Sequence, residues 1–190
     1  MSSSKPRFAF FPATPDRWND LESLFGARGA CGGCWCMTWR LPRAEFNAGK
    51  GESNRRALLK VVKTGPPPGV LAYANGKPVG WCAVAPRTAY QALDRSRILK
   101  PVDDQPVWSI SCLFVEKGYR RQGLSTLLIQ AAARFAKDQG AKIVEGYPQV
   151  VEGSLPDAFV WTGLEPSFLK AGFTEVARRS SKRPILRQRF

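Results

Sequence analysis

The sequence predicts an α+β (mixed α/β) fold built on one mostly antiparallel sheet. Three observations carry this reading. An Asn75-Gly76 pair between two apolar runs marks a tight antiparallel hairpin. A long apolar strand, Val107 to Val115, leads into an amphipathic helix, Leu124 to Lys137, and then into another strand, Lys142 to Tyr147, which makes a single β-α-β crossover. The 190 residues, 44% hydrophobic and 23% charged, suit one globular domain over residues 1–190.

Taken in order, Arg7 to Phe11 is an aromatic strand. Thr14-Pro15 supplies an N-cap and a first helical position, Trp18, Leu21, Leu24 and Phe25 follow at helical spacing, and Gly26 ends the helix. Gly29 to Arg40 is rich in glycine and cysteine and carries Trp35 and Trp39. A second helix is expected from about Ser53 to Lys63, with Leu58, Leu59 and Val62 buried, and Gly65-Pro66-Pro67-Pro68-Gly69 breaks the chain after it. Val70 to Ala74 and Val79 to Val84 are the hairpin strands. Pro86 to Leu99 contains a short helix around Tyr90. The crossover helix is expected to turn Leu127, Leu128, Ala131, Ala132 and Phe135 inward and to end near Gly140. Pro166 to Ala171 forms a short helix before Gly172, and Phe173 to Ala177 and Ile185 to Phe190 are the last strands. No internal repeat or linker interrupts the chain.

Composition excludes several classes of function. A chain of this length hides roughly 70% of its unfolded surface, so it needs no disulfide or metal to fold. There is no histidine, which removes imidazole acid–base catalysis, histidine metal ligands and the triads built on them. Proton transfer must use Glu, Asp, Tyr, Cys, Lys or water. No apolar run approaches the roughly 18 residues of a membrane span, and the polar stretch from Met1 to Arg7 has no apolar core behind it. No membrane association or secretory leader is expected, and the location expected is cytoplasmic.

Lys and Arg number 29 against 15 Asp and Glu, a net charge of +14. The run from Arg178 to Phe190 holds six basic residues and no acid. Such a surface attracts polyanions without choosing among nucleic acid, phosphorylated cofactors and anionic membranes, and a generic basic surface looks the same. Only Phe190 interleaves an aromatic ring with that tail, so nucleic acid ranks last among partners. Cys31, Cys34 and Cys36 cluster. Zinc asks for four ligands, and three thiols without a second pair fall short. No metal is expected; packing is favoured over metal or redox roles.

The stretch from Leu113 to Thr126 carries the chemistry. A strand ends near Val115, a basic loop follows, and a helix begins near Gly123. A helix start offers unpaired backbone N–H groups and the positive end of the macrodipole. Gly123 permits close backbone approach, Ser125 and Thr126 add hydroxyls, and Arg120 and Arg121 add charge. These features make a pyrophosphate cradle. It is neither a P-loop, lacking Gly-Lys-Ser/Thr, nor a dinucleotide fingerprint, lacking Gly-x-Gly-x-x-Gly.

Arg120-x-x-Gly123-x-Ser125 after Leu113-Phe114-Val115 resembles motif A, Gln/Arg-x-x-Gly-x-Gly/Ala, of the GNAT superfamily of acyl-CoA N-acyltransferases. The hairpin upstream and the late Ala171-Gly172-Phe173 ending are similar as well. The segments Cys31 to Arg40 and Pro101 to Trp108 are similar to those of a bacterial GNAT subgroup with mostly unassigned substrates. The resemblance implies a central twisted sheet of about seven strands with a V-shaped splay, flanked by about four helices. It implies that acetyl-CoA is the co-substrate. Its pyrophosphate would lie on Arg120, Arg121, Gln122, Gly123, Leu124, Ser125 and Thr126, and its pantetheine arm along Leu113, Phe114 and Val115. An amide on that strand would polarise the thioester carbonyl. Trp35, Met37, Trp39 and Arg40 would shape the acceptor pocket, and homodimers are common in the family. Two departures stand out: Ser125 replaces the usual small Gly or Ala, and Phe168 stands where many members carry a tyrosine acid.

Two residues on the Lys142 to Tyr147 strand are candidates for proton transfer. Glu145 inside a strand is either paired with one of the arginines or a base for the amine. Tyr147 is either a packed aromatic before Pro148 or the acid for the leaving sulfur. Ser109 and Ser111 alternate along the cofactor strand and suit ordinary strand polarity or a held water. The function expected is N-acetyl transfer from acetyl-CoA to a primary amine by direct attack in a ternary complex, with a small-molecule acceptor favoured because the long aromatic stretch from Gly26 to Gly69 suits an enclosed pocket. Protein N-acetylation and non-catalytic acyl-CoA sensing are the alternatives.

Overall fold

Phe8–Pro12 form the first strand, β1, of the computed structural model, which describes residues 6–151, 153 and 160–190. The expectation for Met1 to Lys5 lies outside the described residues. The remaining strands are β2 (Gly69–Ala74), β3 (Lys77–Pro86), β4 (Trp108–Val115), β5 (Ile143–Gly146), β6 (Thr174–Arg178) and β7 (Pro184–Arg189). They form one sheet in the order β1-β2-β3-β4-β5-β7-β6. Only β4 and β5 run parallel; the other neighbours are antiparallel. The fold is the α+β architecture that the hairpin and crossover predict.

The helices are α1 (Trp18–Phe25), α2 (Arg43–Ala48), α3 (Glu52–Thr64), α4 (Gln91–Asp94), α5 (Leu124–Asp138) and α6 (Glu165–Lys170). The sequence predicts about four. The short helix expected around Tyr90 is α4, after a 3-10 turn at Arg87–Ala89; α2, of 6 residues, is additional and too short for a periodic apolar pattern to reveal. The hairpin turn has both central residues at positive φ, 50° at Asn75 and 76° at Gly76, which matches the right-handed strand twist.

Each face of the sheet carries its own core. On one face α5 lays Leu124, Leu128, Ile129, Ala132 and Ala136 over Val70, Ala72, Cys82, Val84 and Ile110. On the other, α1 and α3 bring Trp18, Leu21, Phe25, Leu58 and Val62 over Leu71, Trp81, Ala83 and Cys112. A smaller cluster of Ala85, Tyr90, Leu93, Leu99, Tyr147 and Ile185 closes the β5–β7 end. The inward face of α5 is rotated from the one expected. Leu127 is 39% exposed and Ala131 lies at the margin, while Leu124, Ile129 and Ala133 are buried. Gly80 of β3 sets this rotation, because its bare backbone receives Leu128; an added Cβ would lie 2.9 Å from Leu128 Cδ1.

The splay in the sheet positions the site. Opposite β3, Ala83 pairs with Cys112 and Val84 with Ile110, so Ser111 is an extra residue in β4. Pairing of β4 with β5 runs from Trp108↔Val144 to Ile110↔Gly146 and no further. Beyond the bulge the two strands diverge into a V. Phe168 of α6, fully buried, packs its ring directly against Gly146 and edge-on against Phe173 at 5.3 Å. A Cβ at Gly146 would overlap that ring. Gly146→Ala is therefore expected to cost about 1–3 kcal/mol by overpacking, read by urea denaturation, with part of the loss regained when Phe168→Leu is added. A Gly146→Ala protein of unchanged stability would show that the ring moves aside freely.

Candidate active site

A cavity of about 720 Å³ opens in the V. Leu113, Phe114 and Val115 form one wall, and Tyr119, Arg120, Arg121, Gly123, Leu124, Ser125 and Thr126 form its basic end. Nine of the ten residues assigned to the cofactor thus line one space. Gln122 does not; its Nε2 donates to Gly118 O at 2.9 Å and braces the loop. Arg121 (φ 59°) and Gly123 (φ 83°) adopt left-handed backbone, which turns the chain sharply from the 3-10 turn Lys117–Tyr119 into α5. Arg120 Nε donates to Val115 O at 2.9 Å and ties this loop to the end of β4. The N–H groups of Leu124 and Ser125, first in α5, have no helical carbonyl before them. Donors and positive charge gathered at one end, with a strand edge along the side, fit an elongated ligand that has a phosphate end and an amide-bearing chain.

The opposite wall comes from Gln149, Val151, Val160, Trp161, Gly163 and Leu164. Gln149 and Leu164 make a parallel bridge beyond the end of β5. Trp161 O accepts a hydrogen bond from Leu113 N at 2.6 Å. The backbone donor just past the β4 bulge therefore points into the V and is held there by a protein carbonyl. Gly163 (φ 83°) turns the chain after it. The sequence reading missed this wall. Its one visible signal is a tryptophan and a glycine, Trp161-Thr162-Gly163, just ahead of a short helix.

Glu145 and Tyr147 lie elsewhere, among groups that do not line the cavity. Both are 1% exposed. Tyr147 donates its hydroxyl proton to Glu145 Oε2 at 2.7 Å. The Tyr147 hydroxyl oxygen, its own proton already given to Glu145, accepts from Arg87 Nη1 at 2.8 Å and from Ser109 Oγ at 2.7 Å. Arg187 Nε donates to Glu145 Oε1 at 2.7 Å and reaches Asp103 with both terminal nitrogens, at 2.6 and 3.0 Å. Arg87 also bonds Asp94 and Leu99 O. Burial, then the charge of Glu145, holds the Tyr147 phenol well above its ordinary range. The hydrogen bond from Arg187 holds the Asp103 carboxyl down at about 2. Of the two readings open for Glu145, the geometry is that of a paired carboxylate with its oxygens taken. The arginines that pair with it come from β7 and from the turn after β3, which a strand-level reading cannot see.

The residues assigned to the acceptor divide. Trp35 and Met37 are core: Trp35 stacks on Trp18 at 6.1 Å, and both are buried. Trp39 meets Trp161 with ring centroids 5.9 Å apart, and the Arg40 guanidinium lies 4.7 Å from the Tyr90 ring centre. All five cysteines are free. Cys36 Sγ lies 3.3 Å from Cys112 Sγ and accepts from Trp81 Nε1. Cys31 reaches the cavity mouth. Burial pushes the Cys34 thiol up to about 11. Among the described residues no helix is long and apolar enough to cross a membrane.

Comparison with known proteins places this geometry in context. The model of the acetyltransferase (GNAT) family matches residues 35–150. No curated protein matches the chain in sequence. A GNAT-family acetyltransferase from Listeria monocytogenes superposes with a TM-score of 0.58 at 8% identity, over 100% of this chain and 99% of that one. The Drosophila melanogaster polyamine N-acetyltransferase gives 0.56 at 11% identity, over 97% and 100%. The PaiA N-acetyltransferase of Thermoplasma acidophilum, solved with coenzyme A, gives 0.51 at 13% identity, over 97% and 99%. At such identities these likenesses concern the fold.

Two outcomes follow from the buried cluster. Glu145→Ala strands Arg187 and Arg87 and is expected to cost about 3–5 kcal/mol in denaturant unfolding; a loss under about 1 kcal/mol would show that the cluster is not holding β5. Stability should also fall at both pH extremes. The Asp103 contribution is complete above its ordinary value of 3.8 and is lost as pH drops through about 2. The Tyr147 contribution belongs to the neutral phenol, is complete below 10, and is lost as pH rises beyond it. Urea midpoints against pH should flatten at the acid end in Asp103→Asn and at the alkaline end in Tyr147→Phe.

Proposed function

Because the chain belongs to the acetyltransferase (GNAT) family, we propose that it transfers an acetyl group from acetyl-CoA to the primary amine of a small molecule. The observation that carries this reading is the cavity itself. Its basic end is built from Arg120, Arg121 and the start of α5, and its side leads along Val115 and Phe114 to the Leu113 N–H just past the bulge. The loop N–H groups and guanidinium charge bind phosphates. The β4 edge pairs with amide groups of an extended chain, as a further strand would. Leu113 N–H then polarises the thioester carbonyl, donating where it now donates to the Trp161 carbonyl.

The amine nitrogen attacks the carbonyl carbon, a C–N bond forms and the C–S bond breaks. The proton shed by the amine balances the one taken up by the sulfur. Phe168, packed beneath Gly146 and Gly163, brings no acid to that step. Glu145 and Tyr147 support the reaction by holding β5 beside β4 at the base of the V. A second reading, acyl-CoA binding without turnover, is favoured by Phe168 alone.

Calorimetric titration with acetyl-CoA at two salt concentrations, followed by thiol release against a panel of amines, separates the readings. Micromolar binding that survives salt, with thiol release, is expected. Gly123→Val should weaken acetyl-CoA at least about tenfold, because a β-branched residue resists the left-handed backbone there. Binding without release from any amine would favour the sensing role. Absence of binding would remove the cavity as an acyl-CoA site.

A further inference from the structure

We propose that the acceptor carries a carboxylate as well as the amine, and that Arg40, Arg183 and the Trp39 indole hold it beside the Trp39–Trp161 pair. The inference rests on the acyl-transfer reading above and names its substrate class. Trp161 stands at the point of transfer, because its carbonyl takes the Leu113 N–H in the V. Trp39 faces it at 5.9 Å, tilted by 39°. The Trp39 Nε1 is buried and has no hydrogen-bond partner among the described residues, although an indole N–H can only donate.

The guanidinium groups next to this pair also lack acceptors of matching charge. Arg40, adjacent in sequence to Trp39, lies over Tyr90 and donates one long bond, 3.4 Å, to its hydroxyl. Arg183 is half-buried and donates to Thr162 Oγ1 at 2.9 Å, next to Trp161. Among the described residues neither pairs with a carboxylate. Other arginines at this end of the sheet do: Arg87 with Asp94 and Glu145, Arg178 with Glu165 and Glu175, and Arg187 with Asp103 and Glu145. Among the described residues, carboxylates thus pair with those guanidiniums and not with Arg40 or Arg183. Burial disfavours the charged form of Arg183, with no carboxylate to offset it.

A set made only of donors, two of them cationic, asks for an acceptor-only anion. A carboxylate meets a planar guanidinium with two parallel bonds and satisfies the indole as well. The two tryptophan faces suit the apolar part of a small molecule. The ammonium of an amino-acid-like molecule first loses one proton to solvent; the free amine then joins the acetyl carbon as the C–S bond breaks, its second proton balancing the one taken up by the coenzyme A thiol, while the carboxylate stays on the arginines. Polycationic amines are disfavoured by the same charges.

The test compares matched pairs that differ only in the carboxylate: phenylalanine with phenethylamine, and 4-aminobutyrate with butylamine, plus spermidine. Thiol release is measured, and N-acetylphenylalanine and N-acetylphenethylamine are titrated into protein saturated with coenzyme A. The acid member is expected to win by about tenfold or more in kcat/KM or in product affinity. Arg183→Ala and Arg40→Ala should raise its KM by about tenfold while kcat and acetyl-CoA affinity stay within about twofold, and Arg183→Lys should recover part of the loss. Equal treatment of the pairs, preference for spermidine, or failure of the acetylated acid to bind overturns the proposal. If acetyl-CoA binds and the acid is not preferred, only the acceptor class falls; if acetyl-CoA does not bind, the transfer reading falls first.

Discussion

Parallel pairing between β4 and β5 stops at Ile110↔Gly146, and the cavity exists because it stops there. Two features end it. Ser111 inserts an extra residue into β4, which twists that strand and redirects the residues after it. On the other side, Phe168 fills the space over Gly146, so β5 can continue only by turning away. A few more parallel pairs would close the V, and the Leu113 N–H would be consumed within the sheet.

The base of this wedge is held by a buried cluster of charges. Arg87 and Arg187 face Glu145, Asp103 and Asp94, with Ser109 and Tyr147 completing the hydrogen bonds. Removing charges from water costs several kcal/mol each, so a cluster like this gains little net stability over a well-packed apolar one. What it supplies is direction. Bidentate and single hydrogen bonds define where β4, β5 and β7 sit in a way that leucines do not. Glu145 is partnered by Tyr147, Arg87 and Arg187, which ties β5 to β7 and to the turn after β3.

The overall charge of +14 resolves into distinct uses once the chain is folded. Some arginines neutralise buried acids. Arg120 and Arg121 face the cavity beside the start of α5. Arg40 lies over the Tyr90 ring and Arg183 bonds Thr162, next to Trp161, and among the described residues neither pairs with a carboxylate. The two ends of the site are donor-rich for different reasons: one from backbone N–H groups at a helix start, the other from side chains brought in by separate elements. Between them the Trp161 carbonyl keeps Leu113 N–H satisfied, which avoids leaving a polar group unpaired in a half-buried cleft.

Local chemistry was enough to read the hairpin at Asn75-Gly76, the amphipathic α5 and the loop from Arg120 to Thr126, because each depends on neighbours within a few residues. A turn needs two positive φ values, a helix needs a periodic face, and a phosphate cradle needs a helix start with a glycine and adjacent charge. The class of sheet followed from these, and so did the line of residues along one cavity wall. The full inward face of α5 did not: Leu127, expected inward beside Leu128, is exposed, while Leu128 packs onto Gly80 of another strand. Nor did the surroundings of Glu145, whose partner Arg187 lies 42 residues away on β7, or the pairing of Trp39 with Trp161, far away in sequence. The sequence by itself determined most of the elements and the basic, glycine-containing loop at the start of α5, which are local. Tertiary structure alone decided which charges are paired and with what, because that depends on which distant side chains the sheet brings within hydrogen-bond reach.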